Sequence, residues 1–246
     1  MQAFISHIEP CSREIWKGKN PIVIYFAGCN YNCPFCNAPD NHFSKEEFIQ
    51  DIKDIKKQIK DYSQSSDAVF FSGGEPCLQR QVLLAISNFC KDIGLKTGLA
   101  TNGSKPGCIR SLLELGLLDT IAVDLKSPLD EELFQKVTRS STFFISKSDL
   151  VNDFKKTLDI LKRYEKQIDI EFRTTIVPGL MYKKEDMISM GELIDNIESR
   201  WILQRFMPEN IKSRSYSDLN PPSVGFLENL KESLQKRYPQ LRIELS

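Results

Sequence analysis

Three cysteines stand close together in Cys29-Asn30-Tyr31-Asn32-Cys33-Pro34-Phe35-Cys36, with the spacing C-x3-C-x2-C. Thiolates are soft ligands that select zinc or iron–sulfur clusters, and a cluster held by only three of them leaves one iron open to a small molecule. The other reading is a structural zinc site, which is normally closed by four protein ligands arriving as two spaced pairs. No second C-x2-C exists, although His42, one of only two histidines, could supply a fourth ligand.

A second signal lies downstream, where the apolar run Ala68-Val69-Phe70-Phe71-Ser72 ends abruptly in Gly73-Gly74-Glu75-Pro76. Two glycines at a strand end let the backbone approach a ligand and adopt φ values closed to other residues. Alone, such a run is an ordinary strand-to-helix turn. One helix after a three-cysteine loop, it becomes far more specific.

Alternation along two further strands adds a third clue, because successive residues of a strand point to opposite faces. Over 168–176 one face carries Asp169, Glu171, Arg173 and Thr175; over 120–126, Asp124 and Lys126 share a face with Thr120 and Ala122. A parallel sheet covered by helices normally has two apolar faces, so charges lined up on one side imply a wet or ligand-filled interior. The plainer account is that these residues pair among themselves.

The elements that must position these residues alternate strand and helix along the chain, which argues for parallel strands with helical crossovers. Strands are expected near 21–27, 68–72, 96–101, 119–125, 168–176, 201–206 and 241–245. Ser44 and Glu47 read as the capping box of a first helix whose buried stripe is Phe48, Ile52, Ile55 and Ile59. Stripes recur in Val151-Phe154-Leu158-Leu161 and Leu227-Leu230-Leu234, and Asn220-Pro221-Pro222 opens a C-terminal helix and short strand.

The 246 residues, 41% hydrophobic, suffice for one large α/β core, so a single domain over 1–246 is expected. Lys plus Arg and Asp plus Glu balance at 33 each, leaving no global basic field and no strong nucleic-acid signal. The N-terminus lacks a basic start followed by a long apolar run, and no run could span a bilayer, so a cytoplasmic protein without a membrane partner is expected. Seven irregularly spaced cysteines suit a reducing compartment, without disulfides. Cys90 reads as a small core residue. Cys77, just after the glycine turn, either approaches the site or fills core space, as free cysteines usually do.

With these motifs the chain resembles the radical S-adenosylmethionine (SAM) superfamily, whose signature is this C-x3-C-x2-C, with an aromatic before the last cysteine, followed by a Gly-Gly-Glu strand end. Leu99-Ala100-Thr101-Asn102-Gly103, Ile121-Ala122-Val123-Asp124-Leu125-Lys126, Arg173-Thr174-Thr175-Ile176-Val177-Pro178-Gly179 and Leu203-Gln204-Arg205-Phe206 look like successive strand ends of the activating enzymes for glycyl-radical enzymes. The likeness covers about residues 21–210 and is closest to the short activators of anaerobic ribonucleotide reductase.

The resemblance implies a partial (β/α)6 TIM-like barrel over 21–210, with 211–246 packing on it. It implies that Cys29, Cys33 and Cys36 hold a [4Fe-4S] cluster whose fourth iron is chelated by SAM. Gly73, Gly74 and Glu75 would meet the methionyl amine, Thr101 and Asn102 the ribose and methionyl portion, and Asp124 and Lys126 the methionyl carboxylate. Phe35 and Val177 would flank the adenine, with Arg173 and Arg205 for anionic groups. Reductive cleavage of SAM, fed by a flavodoxin or ferredoxin type donor under anaerobic conditions, would give a 5′-deoxyadenosyl radical. That radical would take hydrogen from a glycine of a partner glycyl-radical enzyme, or from a small molecule in a deazaguanine-type rearrangement. The family's Asp- and Pro-Gly-containing N-terminal segment is replaced by the loop Cys11–Asn20, expected at the barrel mouth, where it would alter the substrate.

Overall fold

β-branched and aromatic residues concentrate in short runs, and these runs become the strands of a parallel sheet. The computed structural model describes residues 1–140, 146–209, 211 and 213–246; position 210, the expected end of the barrel core, lies outside them. All seven expected strands form: β2 (Pro21–Phe26), β4 (Ala68–Gly73), β5 (Lys96–Thr101), β6 (Thr120–Asp124), β7 (Asp169–Ile176), β8 (Arg200–Arg205) and β9 (Arg242–Leu245). Two more were not anticipated, β1 (Gln2–Glu9) and β3 (Ile49–Asp51). The order is β3-β1-β2-β4-β5-β6-β7-β8-β9. β2, β4 and β5 pair in parallel, as do β7, β8 and β9, while β1 is antiparallel to both its neighbours. Six strands, β2 and β4 to β8, carry the connectivity of a partial (β/α)6 TIM-like barrel.

The helices are α1 (Ile52–Tyr62), α2 (Arg80–Asp92), α3 (Pro106–Glu114), α4 (Glu131–Thr138), α5 (Lys147–Tyr164), α6 (Lys184–Ile194), the short α7 (Arg214–Ser217) and α8 (Val224–Arg237). No described helix is long and apolar enough to cross a membrane. The expected stripes on α5 and α8 are buried.

The first helix corrects the sequence reading. Ser44 and Glu47 do not cap it: Ser44 Oγ instead donates to Ala27 O at 3.5 Å, and residues 46–48 make a single 3-10 turn. Residues 49–51 then pair with β1, Gln2 opposite Asp51 and Phe4 opposite Ile49, and Asp51 caps α1 by accepting from Lys53 N at 2.8 Å. A sheet partner for β1 thus competes with early helix nucleation and wins, delaying the helix to Ile52.

The loop from Cys11 to Asn20 is the second correction. Ser12 N donates to Pro21 O, Asn20 N to Asp67 Oδ1 at 2.8 Å, Asn20 Nδ2 to Ser65 O at 2.6 Å, and Lys19 Nζ to Asp67 at 3.1 Å. Pro21 opens β2, and Ser65 and Asp67 precede β4, so the loop is tied to the strands' N-terminal ends. Gly73 lies at the other end of β4, roughly 17 Å away at the rise of a strand.

Contacts divide the chain into two compact units, Met1–Asn30 with Asp40–Thr101 and Gly107–Ile121, and Tyr31–Pro39 with Asn102–Pro106 and Ala122–Ser246. In the first, Phe26 and Phe71 meet edge to face, and a Cβ on Gly98 would stand 2.5 Å from the Phe70 ring, so β5 needs glycine there. In the second, Trp201 is fully buried and donates Nε1–H to Thr174 Oγ1, which donates in turn to Leu125 O at 2.7 Å. Phe134 lies edge-on to both Tyr31 and Phe154.

Candidate active site

The site residues read from the sequence fall in both units. In the first unit the Gly-Gly-Glu strand end is joined to the segment that leads into the cysteine loop. Gly74 N donates to Phe26 O and Glu75 N to Gly28 O, both at 2.8 Å, while Gly28 N and Cys29 N donate to Asn41 O and His42 O. Gly73 has φ +109°, and a Cβ on it would stand 2.3 Å from Phe26 O; one on Gly74 would stand 2.3 Å from Gly28 O. Both glycines are therefore required by the protein's own backbone, which comes too close for any side chain. Of the two sequence expectations, ligand approach and an ordinary turn, this closeness of backbone to backbone answers to the turn.

Glu75 is fully buried. Its Oε1 accepts from Thr101 Oγ1–H at 2.8 Å and from Cys77 N at 2.9 Å, so the carboxylate also caps the 3-10 turn Pro76–Gln79. A buried carboxylate needs such donors, because burying an ionised group without partners costs far more than the roughly 2–7 kcal/mol of an unpaired amide or hydroxyl. Gln79 was not anticipated: its Nε2 donates to Phe4 O and Ala27 O, and its Oε1 accepts from Phe4 N at 2.8 Å. One side chain thereby ties the turn after β4 to β1 and to the end of β2. Nothing in the spacing of a lone glutamine signals this, since its partners are backbone groups far away in sequence.

In the second unit Cys33 and Cys36 form a turn, with Cys36 N donating to Cys33 O at 3.1 Å. Thr138 O accepts from Asn32 N at 2.9 Å and faces Cys33 Sγ at 3.8 Å, so the end of α4 props the loop. Burial pushes the Cys33 thiol up to about 11, against the opposite pull of the Lys126 charge. Asp124 and Lys126 do share a face and form an ion pair at 2.8 Å, and Lys126 Nζ stands 5.9 Å above the buried Phe35 ring. Asn102, buried, accepts from Ser104 N through Oδ1 at 3.0 Å.

The remaining candidates have protein partners. Arg173 Nε pairs with Glu171 Oε1 at 2.5 Å, and Glu171 Oε2 also meets Arg200 at 3.1 Å, so this row of charges does pair within itself. Arg205 Nε donates to Pro222 O at 2.9 Å. Val177 is buried and exchanges backbone hydrogen bonds with Met181 across a tight turn whose Gly179 has φ +74°.

The donor set suits a cluster better than a single ion. Cys29, Cys33 and Cys36 are half-buried and form no disulfide. Among the described residues no three His, Cys, Asp or Glu side chains gather about one point that could hold a metal ion. A cubane needs no such convergence, because its thiolates bind different irons.

The radical SAM family model matches residues 23–191. The chain belongs to the radical SAM superfamily. It is 27% identical over 243 residues, 96% of this chain and 93% of the relative, to a Methanocaldococcus jannaschii protein provisionally named a glycyl-radical enzyme activating enzyme. It is 25% identical to the pyruvate formate-lyase-activating enzyme of Clostridium pasteurianum, over 80% of this chain and 79% of that one. With the 7-carboxy-7-deazaguanine synthase of Clostridium acetobutylicum the figures are 27%, 60% and 68%. Among solved structures, a radical SAM methyltransferase from Sphaerobacter thermophilus superposes with a TM-score of 0.65 at 12% identity, over 92% of this chain and 67% of that one. Radical SAM superfamily members use a [4Fe-4S] cluster and SAM, and this chain is an enzyme of that superfamily.

Proposed function

We propose that this radical SAM enzyme is an activase, which takes a hydrogen atom from a backbone glycine of a partner glycyl-radical enzyme, of the anaerobic ribonucleotide reductase kind. The observation that supports the reading is the likeness, over 96% of the chain and well beyond the family segment 23–191, to a protein provisionally named a glycyl-radical enzyme activating enzyme. The loop Cys11–Asn20, the largest departure from the family, is tied to the N-terminal ends of β2 and β4, so it no longer weighs against this reading.

Cys29, Cys33 and Cys36 are the proposed cluster ligands. When bound, the cluster and SAM supply a one-electron carbon–sulfur cleavage whose product abstracts hydrogen; the protein's task is to orient these groups and exclude other hydrogen donors. Glu75, steadied by Thr101 and the Cys77 amide, would receive the methionyl ammonium beside Gly73 and Gly74. Lys126, held by Asp124, would meet the methionyl carboxylate. Asn102 would serve the ribose, buried Phe35 and Val177 the adenine, and Arg173 and Arg205 the anionic groups.

The test is anaerobic incubation with SAM, a reductant of the flavodoxin or ferredoxin type, and candidate glycyl-radical proteins. A glycyl-radical doublet in electron paramagnetic resonance, with release of 5′-deoxyadenosine, is the expected outcome. The likeness to a 7-carboxy-7-deazaguanine synthase supports a second reading, chemistry on a small molecule. Formation of 5′-deoxyadenosine only with a small deazapurine precursor, and no doublet, would replace the first reading by the second.

A further inference from the structure

The C-terminal end of α4, within the second unit, is built around one carbonyl group. Thr138 closes the helix, and Arg139 after it has φ +46°, in the left-handed region where a helix usually places glycine. At this turn Thr138 O accepts from Asn32 N at 2.9 Å and faces Cys33 Sγ at 3.8 Å. The Thr138 side chain holds the arrangement from below: its Oγ1 donates to Phe134 O at 2.7 Å and accepts from Ser140 Oγ at 2.6 Å, and all three residues are buried. Arg139 N donates to Gln135 O at 2.7 Å and completes the last turn. Ending the helix alone does not require an arginine here, since the residue is exposed and a glycine would adopt the same turn without strain.

We infer that Thr138 O, aimed by the left-handed turn at Arg139, holds down the reduction potential of the cluster that Cys33 helps to bind. It acts in two ways. First, it takes up Asn32 N–H, a donor beside Cys33 that is then not free to bond a cluster sulfur; such bonds stabilise the more negative, reduced cluster and are one of the protein's levers on potential. Second, the oxygen carries the partial negative charge of a helix C-terminus and stands beside a ligand sulfur, where it opposes an added electron. The charges of Lys126 and Asp124 also reach Cys33, but they are opposite in sign and paired at 2.8 Å, so they largely offset one another. A lower potential makes the transferred electron more reducing, which suits the one-electron cleavage of a sulfonium. Arg139 acts through the carbonyl that precedes it and is a positioning residue.

The inference rests on Cys33 as a cluster ligand, which iron and sulfide content decides separately. Anaerobically loaded wild type and variants are titrated with dithionite in the presence of mediator dyes, and the cluster reduced by one electron is read by electron paramagnetic resonance. Arg139→Pro, whose ring fixes φ at about −65°, cannot keep the left-handed turn and swings the Thr138 carbonyl away, while the three cysteines remain. It is expected to take up a full complement of iron and sulfide and to be reduced more easily by the effect of one hydrogen bond, roughly three- to tenfold in the one-electron equilibrium. The upper figure is a midpoint raised by about 59 mV. Arg139→Gly, which adopts positive φ freely, is expected to keep the wild-type midpoint. Should the proline variant bind no cluster, Arg139→Val, whose β-branched side chain also resists the left-handed region, is read in its place. A loaded proline or valine variant with the wild-type midpoint, or a glycine variant that shifts as far, overturns the inference. Wild type that binds metal without sulfide overturns the cluster reading, and the inference with it.

Discussion

Lys126 shows how one side chain can be held ready by its neighbours. Its ammonium pairs with Asp124 at 2.8 Å and lies over the Phe35 ring, so its position is fixed from two sides. A charge-assisted contact of this kind contributes about 1.5–3 kcal/mol, roughly ten- to a hundred-fold in affinity. Lys126→Ala is therefore expected to weaken SAM binding by that factor in calorimetry, with little change in the unfolding midpoint. Unaltered affinity would show that the pair with Asp124 serves only the fold. Lys126 and Asp124 were legible in the sequence as neighbours two residues apart at the end of β6, and their place beside SAM only through the family resemblance. Gln79 and Thr138 were not, because each acts through backbone groups whose nearness depends on the complete fold.

At the scale of elements, the parallel strands could be read to within a residue or two, since they are either apolar runs, like β2 and β4, or alternations of apolar and polar residues, like β7 and β9. β1 and β3 escaped for identifiable reasons. β1 has a register shift between Ile5 and His7 that spoils its alternation, and β3 is only three residues long. The missed pairing of β1 with β3 also explains the misplaced helix start, because a capping-box pattern at Ser44 and Glu47 reads the same whether or not a sheet edge claims residues 49–51. The two possibilities differ in a measurable way. Asp51→Ala should lower stability by about 1 kcal/mol in urea unfolding, the usual loss for an N-cap. Ser44→Ala, which removes only a long hydrogen bond to Ala27 O, should stay within about 0.5 kcal/mol. The reverse order would restore the helix start at Ser44.

For the whole molecule, the two units are interleaved in sequence. The first consists of 1–30, 40–101 and 107–121, and the second of 31–39, 102–106 and 122–246, so the chain passes between them at five places: 30/31, 39/40, 101/102, 106/107 and 121/122. Separate domains normally meet at a linker crossed by few contacts, whereas here no single cut releases either unit. Strand β6 is itself divided, with Thr120 and Ile121 in one unit and Ala122–Asp124 in the other, so melting one unit would take part of the other's strand with it. The 246 residues are accordingly expected to unfold as one domain. Anaerobic urea titration of the reduced protein, followed by far-ultraviolet circular dichroism and by the fluorescence of Trp16 and Trp201, one tryptophan in each unit, should give superimposable transitions. Two resolved midpoints, one per tryptophan, would instead make the units independently stable, and the single-domain reading would fall.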